Sequence, residues 1–179
     1  MKKFIFILGG ARSGKSSYAV EVAKKLRKRT VFIATCNSCD VEMKKRIKAH
    51  KKSRPRHWKL VEEGKDINSV LIRLKNKYEI ILIDCLGMWL SNLLAGGLTN
   101  REIEKGISRL IKSVSDCKGI IILVSNEVGA GIVPDNPLAR RFRDLLGMAN
   151  QMIAKKADEV IFMQSGIPVM IKGGRKCKS

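Results

Sequence analysis

The residues best suited to chemistry lie near the start of the chain. Residues 9–16 read Gly-Gly-Ala-Arg-Ser-Gly-Lys-Ser, a complete G-x-x-x-x-G-K-S motif, and an apolar run at residues 4–8 precedes them. A stretch predicted to be helical begins at Ser16. In this order of strand, loop and helix, backbone N–H groups surround phosphate oxygens, and the helix directs its positive dipole end towards the same anion. The sequence therefore predicts a nucleoside triphosphate site.

Two side chains of this motif and one further carboxylate have predicted roles. We expect Lys15 to contact the β- and γ-phosphates and Ser16 to bind Mg²⁺. Residues 79–84 form an apolar run that ends in Asp84. An acidic residue at the end of such a strand reaches Mg²⁺, usually through water, in proteins with this loop. The alternatives are a glycine turn before an unrelated helix and an aspartate that only ends a strand.

Length and composition predict one α/β domain. The chain has 179 residues, of which 45% are hydrophobic, which is enough for one core. We expect the domain to span residues 1–172 and residues 173–179 to form a basic tail. No apolar run reaches the roughly 18 residues that a membrane span needs. The phosphate loop also follows Met1 too closely for a cleaved leader, so we expect a cytoplasmic protein without a membrane span.

The cysteines do not form an obvious metal or redox framework. There are five, Cys36, Cys39, Cys85, Cys117 and Cys177, and only the first two have C-x-x-C spacing. No second pair lies nearby to complete four zinc ligands. We expect five free thiols, with a redox role for the C-x-x-C pair as the alternative.

The net charge of +20, from 36 basic and 16 acidic residues, raises the question of nucleic-acid binding. The basic residues are spread over the polar sides of predicted helices, and few aromatic residues lie between them to stack on bases. We therefore expect a basic surface that attracts triphosphates and no specific nucleic-acid partner. A nucleic-acid-associated ATP-binding module is the alternative.

Alternating strands and helices predict a doubly wound, mostly parallel sheet of the P-loop NTPase type. Strands are predicted at residues 4–8, 30–34, 59–62, 79–84, 119–125, 157–164 and 167–171. Helices are predicted at residues 16–28, 40–52, 66–77, 88–94, 100–115 and 138–157. The last two strands flank Ser165-Gly166, which indicates a C-terminal β-hairpin.

Three blocks of sequence together resemble a known family. Residues 9–16, 46–58 and 125–144 are similar to the bifunctional adenosylcobinamide kinase / adenosylcobinamide-phosphate guanylyltransferase of cobalamin biosynthesis. The resemblance implies that ATP or GTP phosphorylates the hydroxyl of the aminopropanol arm of adenosylcobinamide. GMP then passes from GTP to that phosphate through a covalent histidine, and pyrophosphate is released. It also implies a homotrimer whose sites lie between neighbours.

The resemblance identifies His50 as the catalytic histidine. Members of the family carry two adjacent histidines where this chain has Ala49-His50, and we take the second as the match. If the first were the nucleophile, Ala49 would mark a lost transferase activity. From the residues alone, His50 lies near the apolar side of a predicted helix, beside Lys51 and Lys52, whose charge would stabilise departing pyrophosphate. A histidine that only fills the edge of a helix face is the alternative. The other histidine, His57, is expected to pack or hydrogen-bond locally.

The expected nucleotide site combines the phosphate loop with residues that the resemblance implies. Glu62 would bind a guanine edge or a ribose hydroxyl, and the family often has Glu at the position of Asp84. Residues 126–131 and 134–137 are candidates for the corrinoid pocket or for subunit contacts, and a helix-entry loop made of turn residues is the alternative. A single-step small-molecule or nucleotide kinase remains the alternative function. The expected nucleotide-binding residues are Gly9, Gly10, Ala11, Arg12, Ser13, Gly14, Lys15, Ser16, Ala34, Thr35, Cys36, Lys51, Lys52, Ser53, Arg54, Glu62 and Asp84.

Overall fold

The computed structural model describes residues 2–36 and 54–173. Within them the strands are β1 (Lys3–Gly9), β2 (Thr30–Ala34), β3 (Lys59–Glu62), β4 (Ile80–Asp84), β5 (Ile120–Val124), β6 (Glu159–Gln164) and β7 (Ile167–Lys172). The helices are α1 (Lys15–Lys25), α2 (Ile67–Leu74), α3 (Leu86–Ala95), α4 (Asn100–Ser115) and α5 (Pro137–Lys156). The helix predicted at residues 40–52 lies outside the described residues.

The strands form one seven-stranded sheet in the order β3-β2-β4-β5-β1-β6-β7. All neighbouring pairs are parallel except β6 and β7, which are antiparallel. The last two strands are joined through Ser165 and Gly166, both with positive φ, as a two-residue hairpin turn requires. The predicted mostly parallel α/β sheet with a C-terminal hairpin is therefore confirmed.

Helices cover both faces of the central strands. Alternate residues of β1 point to opposite faces, so Phe4 and Phe6 join one buried cluster while Ile5 and Ile7 join the other. The first cluster packs under α2, α3, α4 and α5, and the second packs under α1. Burial on both faces explains why the central strands read as continuous apolar runs.

Capping residues set several helix boundaries. Asp66 caps α2 by accepting a hydrogen bond from the Ser69 amide, so this helix begins one residue later than predicted. Thr99 and Glu102 form a complete capping box at the start of α4. Helix α3 begins two residues earlier than predicted because Leu86 is fully buried and belongs to its apolar face. None of the described helices is long and apolar enough to cross a membrane.

Candidate functional site

The phosphate loop lies between β1 and α1 at the carboxyl edge of the sheet. Arg12 and Gly14 both have positive φ, and Gly14 immediately precedes the first residue of α1. No side chain caps this helix, and its first turn holds no acidic residue. The amides of the first turn are therefore available to an anion, which the helix dipole also favours.

Close packing fixes the course of the loop. A Cβ on Gly9 would lie 2.6 Å from both the Met163 carbonyl oxygen and Ser13 Oγ, so only glycine fits there. The Gly166 amide donates to the Ser13 carbonyl at 3.1 Å, which ties the β6–β7 turn to the loop. Ser13 Oγ is buried and has no hydrogen-bond partner among the described residues. A phosphate oxygen would provide a partner for such a hydroxyl.

Lys15 is buried at the start of α1 with only 8% of its surface exposed. Its ammonium donates to the Gly10 carbonyl at 2.8 Å, which holds the side chain back across the loop. Burial lowers the pKa of Lys15 from its ordinary value, and the charge of Asp84 opposes that shift. A triphosphate would add negative charge beside this desolvated cation.

Three parallel strands bring further polar residues to the same edge. The register pairs Ala34 of β2 with Glu62 of β3 on one side and with Asp84 of β4 on the other. Arg54 covers the ring of Phe32, with its guanidinium carbon 4.1 Å from the ring centre. Burial lowers the pKa of Arg54, whereas the Asp84 and Glu62 carboxylates oppose that shift. A guanidinium stays charged in proteins, so one cation and two carboxylates meet beside the loop.

Thr35 links the ends of β2 and β4. Its hydroxyl donates to the Cys85 carbonyl and accepts from the Cys85 amide, both at 2.7 Å, and the residue is fully buried. The Asn92 side-chain amide donates to the carbonyls of Thr35 and Gly64, at 2.8 Å and 2.9 Å. Burial raises the pKa of Cys85 to about 12, so this thiol stays neutral near pH 7. Thr35, expected to bind nucleotide, thus positions the segment after Asp84.

Together these elements enclose a cavity of about 660 Å³, within the usual range for small-molecule sites. Of the residues expected at the nucleotide site, eleven line it: Ala11, Arg12, Ser13, Gly14, Lys15, Ser16, Ala34, Cys36, Arg54, Glu62 and Asp84. Gly9, Gly10 and Thr35 support the cavity without lining it. His50, Lys51, Lys52 and Ser53 lie outside the described residues.

Five further residues line the cavity although sequence reasoning did not assign them to nucleotide binding: Ser17, Phe32, Cys85, Met88 and Asn126. Phe32 and Cys85 look like ordinary core residues in the sequence and carried no signal for a site. Asn126 was a candidate for the corrinoid pocket or a subunit contact, and the structure brings it to the phosphate loop. Its position after the buried strand β5 was the available signal.

A buried polar chain holds Asn126 in place. Ser125 Oγ donates to Asn150 Oδ1 at 2.7 Å, and Asn150 Nδ2 donates to the Asn126 carbonyl at 3.0 Å. Ser125 and Asn150 are both buried. Helix α5 therefore fixes the end of β5 through hydrogen bonds rather than through apolar contact alone.

Oxygen ligands for Mg²⁺ are available at the cavity. Ser16 and Asp84 both line it, and hydroxyl and carboxylate oxygens are the donors that this ion prefers. Among the described residues, no three His, Cys, Asp or Glu side chains are grouped so as to hold a metal. A hydroxyl and a carboxylate, the latter acting directly or through water, suit Mg²⁺, which also binds water and substrate phosphates. Cys36, Cys85 and Cys117, the described cysteines, are not joined by disulfides.

The sheet, the loop and the cavity define a P-loop nucleotide-binding α/β protein. Solved structures with the same fold include an ATPase domain that matches with a TM-score of 0.52 and 14% identity. That match covers 90% of this chain and 69% of the other. An ATPase from the type III secretion system of pathogenic bacteria matches with a TM-score of 0.57 and 11% identity, over 90% and 51% of the two chains.

Sequence comparisons identify the family. The model of the family "Cobinamide kinase / cobinamide phosphate guanyltransferase" matches residues 5–171. The bifunctional adenosylcobalamin biosynthesis protein CobU of Escherichia coli is 38% identical over 94% of this chain and 99% of its own. The corresponding protein CobP of Pseudomonas aeruginosa is 39% identical over 93% and 96%. The chain belongs to this family of bifunctional cobalamin biosynthesis enzymes, which confirms the resemblance seen in the sequence.

Proposed function

We propose that this enzyme phosphorylates adenosylcobinamide and then transfers GMP from GTP to the resulting phosphate through His50. The observation that carries the proposal is the family match, which spans residues 5–171 and includes both the phosphate-loop cavity and the segment that contains His50. ATP or GTP serves as the phosphoryl donor, and GTP is the guanylyl donor.

In the first reaction the substrate hydroxyl oxygen attacks the γ-phosphorus, the bond to the bridging oxygen breaks, and the hydroxyl proton is released. The N–H groups of the loop and the ammonium of Lys15 stabilise charge on the phosphate oxygens as the nucleoside diphosphate leaves. Ser16 and Asp84 would hold Mg²⁺, which supplies further charge neutralisation when bound.

In the second reaction an imidazole nitrogen of His50 attacks the α-phosphorus of GTP, forms an N–P bond and releases pyrophosphate. A phosphate oxygen of adenosylcobinamide phosphate then attacks the same phosphorus, frees the histidine and gives adenosylcobinamide-GDP. Arg54, with Lys51, Lys52 and Ser53, binds the triphosphate, and Glu62 binds the guanine edge or a ribose hydroxyl. The joint position of Arg54 and Glu62 at the cavity supports this division of roles.

The decisive experiment follows the α-phosphate. Enzyme incubated with Mg²⁺ and GTP labelled at the α-phosphate, then quenched in alkali, should retain label at His50 as an acid-labile adduct. His50→Ala should lose the label and keep the kinase activity. His57→Ala is the matched control, because His57 is the other histidine and is exposed, and it should keep both activities. Absence of an adduct in the parent enzyme, with phosphorylation intact, would instead indicate a single-step kinase.

We also propose a homotrimer. Apolar side chains are exposed near the carboxyl end of the sheet and on its last strand: Ile132 is 96% exposed, Val133 58%, Ile167 64% and Ile171 61%. An apolar edge strand and loop of this kind are normally covered by another surface. Analytical ultracentrifugation should give three times the chain mass, and a monomer or dimer would contradict the proposal. Residues 126–131 and 134–137 remain candidates for either this contact or the corrinoid pocket.

A further inference from the structure

A second cavity, of about 410 Å³, lies at the amino ends of the parallel strands, opposite the carboxyl ends where the phosphate loop lies. It is formed where β2, β4 and β5 begin, together with the residues that follow α2. Strand β2 begins directly after Arg29, which lines this cavity, and ends at Ala34, which lines the nucleotide cavity. Strand β4 likewise begins directly after Glu79 and ends at Asp84. Five residues of extended chain separate the two cavities by about 15 Å.

The lining of this second cavity is strongly cationic. It contains one carboxylate, Glu79, and five basic side chains: Lys28, Arg29, Lys75, Lys77 and Lys118. The net charge of the lining is therefore +4. These cations come from three separate segments of the chain, so the tertiary structure brings them together.

Glu79 does not neutralise the group. One carboxylate oxygen accepts from Lys28 Nζ at 3.1 Å, and the other accepts from the Arg29 amide at 3.2 Å. Both oxygens are thus turned towards the start of β2. Lys75, Lys77 and Lys118 form no ion pair with any carboxylate of the described residues.

The floor of the cavity is held in place by the backbone. A Cβ on Gly119 would lie 2.5 Å from the Glu79 carbonyl oxygen, so glycine allows β4 and β5 to start in close contact. The guanidinium of Arg29 lies over the Tyr78 ring, 4.9 Å from its centre, which orients this cation beside the cavity. A fixed floor and an oriented arginine reduce the entropy lost when an anion binds.

We propose that this second cavity binds a small phosphate-chain anion, independently of the phosphate loop. Pyrophosphate, tripolyphosphate and the phosphate chain of a nucleotide share the required chemistry: several negative oxygens within the reach of lysine and arginine donors. The cavity volume falls within the range of small-ligand sites. The site accounts for part of the +20 charge that nucleotide binding at the loop leaves unexplained.

The test uses inorganic tripolyphosphate as the probe and backbone amide NMR shifts as the readout, at fixed ionic strength. Because the phosphate loop also binds this anion, the Gly14 amide reports one site, and the Tyr78 and Gly119 amides report the other. We expect both groups of amides to shift, each with its own saturation curve. A shift at Gly14 with none at Tyr78 and Gly119 would overturn the proposal.

A matched pair of variants separates a built site from diffuse charge. The triple variant Lys75→Ala, Lys77→Ala and Lys118→Ala should weaken binding at the second cavity by at least about tenfold and leave the Gly14 curve unchanged. The control is a second triple variant, Arg101→Ala, Lys105→Ala and Arg109→Ala, which removes the same charge from the exposed face of α4. It should change the affinity of the second cavity by less than about twofold. Equal losses in both variants would show a non-specific effect of net charge and refute the site.

Further titrations identify the source of the phosphate chain. Tighter binding of tripolyphosphate than of ATP at Tyr78 and Gly119 would support an inorganic ligand, and the reverse order would support a nucleotide. If a short DNA duplex shifts these amides at lower concentrations than either anion, the assignment to a small anion is wrong and nucleic-acid backbone is the ligand.

Discussion

Replacing Thr35 with valine should both destabilise the protein and disturb the nucleotide site. Valine keeps the shape of threonine but removes the hydroxyl that bonds to the amide and the carbonyl of Cys85. The carbonyl still accepts from the Trp89 amide at 3.2 Å, whereas the buried Cys85 amide loses its partner. A lost hydrogen bond and an unpaired buried donor together cost about 2–4 kcal/mol in the free energy of unfolding.

The matched control is Thr30, the first residue of β2, the strand that Thr35 follows. Thr30 is also buried, but its hydroxyl makes one hydrogen bond, to the Lys28 carbonyl at 2.8 Å. Thr30→Val should therefore cost only about 1 kcal/mol. Urea denaturation at one protein concentration gives both values. For a chain of this size each kcal/mol corresponds to about 2–4 °C in Tm, so the two variants are easily separated.

Thr35→Ser provides a rescue because it restores the hydroxyl. It should recover most of the stability and most of the affinity for nucleotide, since the segment that carries Asp84 is again held to β2. The reasoning is refuted if Thr35→Val is no less stable than Thr30→Val, or if Thr35→Ser is as unstable as Thr35→Val. Unchanged nucleotide affinity in Thr35→Val would refute the positioning role alone.

Three other perturbations test separate parts of the structure. Lys15→Ala should abolish nucleotide binding, measured by calorimetry, without unfolding the protein, whereas Lys25→Ala at the exposed end of the same helix should bind normally; equal losses would contradict the role of Lys15. Hydrogen bonds from Ser69 lower the pKa of Asp66 in the folded state below its ordinary value of 3.8. The cap therefore stabilises the protein fully at a pH above 3.8, and this contribution is lost as the pH falls through the pKa of the folded state. The stability difference between the parent and Asp66→Ala, about 1 kcal/mol at pH 6, should therefore shrink towards pH 3, and a constant difference would exclude the cap as its cause. Because the pKa of Cys85 is about 12, this thiol should remain unmodified by a thiolate-specific reagent at pH 8 until the protein unfolds, and rapid labelling of the folded enzyme would contradict its burial.

Local patterns made much of the fold predictable. The apolar runs of the central strands arise because both faces of the sheet are covered, and such runs are visible in a single sequence. The β6–β7 hairpin was predictable because Ser165-Gly166 suits a turn that needs positive φ. Boundaries were less accurate, since the start of α3 depends on the burial of Leu86 rather than on a capping residue.

The sequence by itself determined the phosphate loop, because the residues that bind a phosphate are consecutive and the glycines among them allow the local backbone conformation that the loop needs. It also indicated Asp84, since an acidic residue directly follows an apolar strand. Tertiary structure decided which distant residues join them. Strand order and register bring together segments that are distant along the chain. They create the contacts of Arg54 with Phe32, of Thr35 with Cys85 and of Asn150 with Asn126, and the basic cavity where the parallel strands begin.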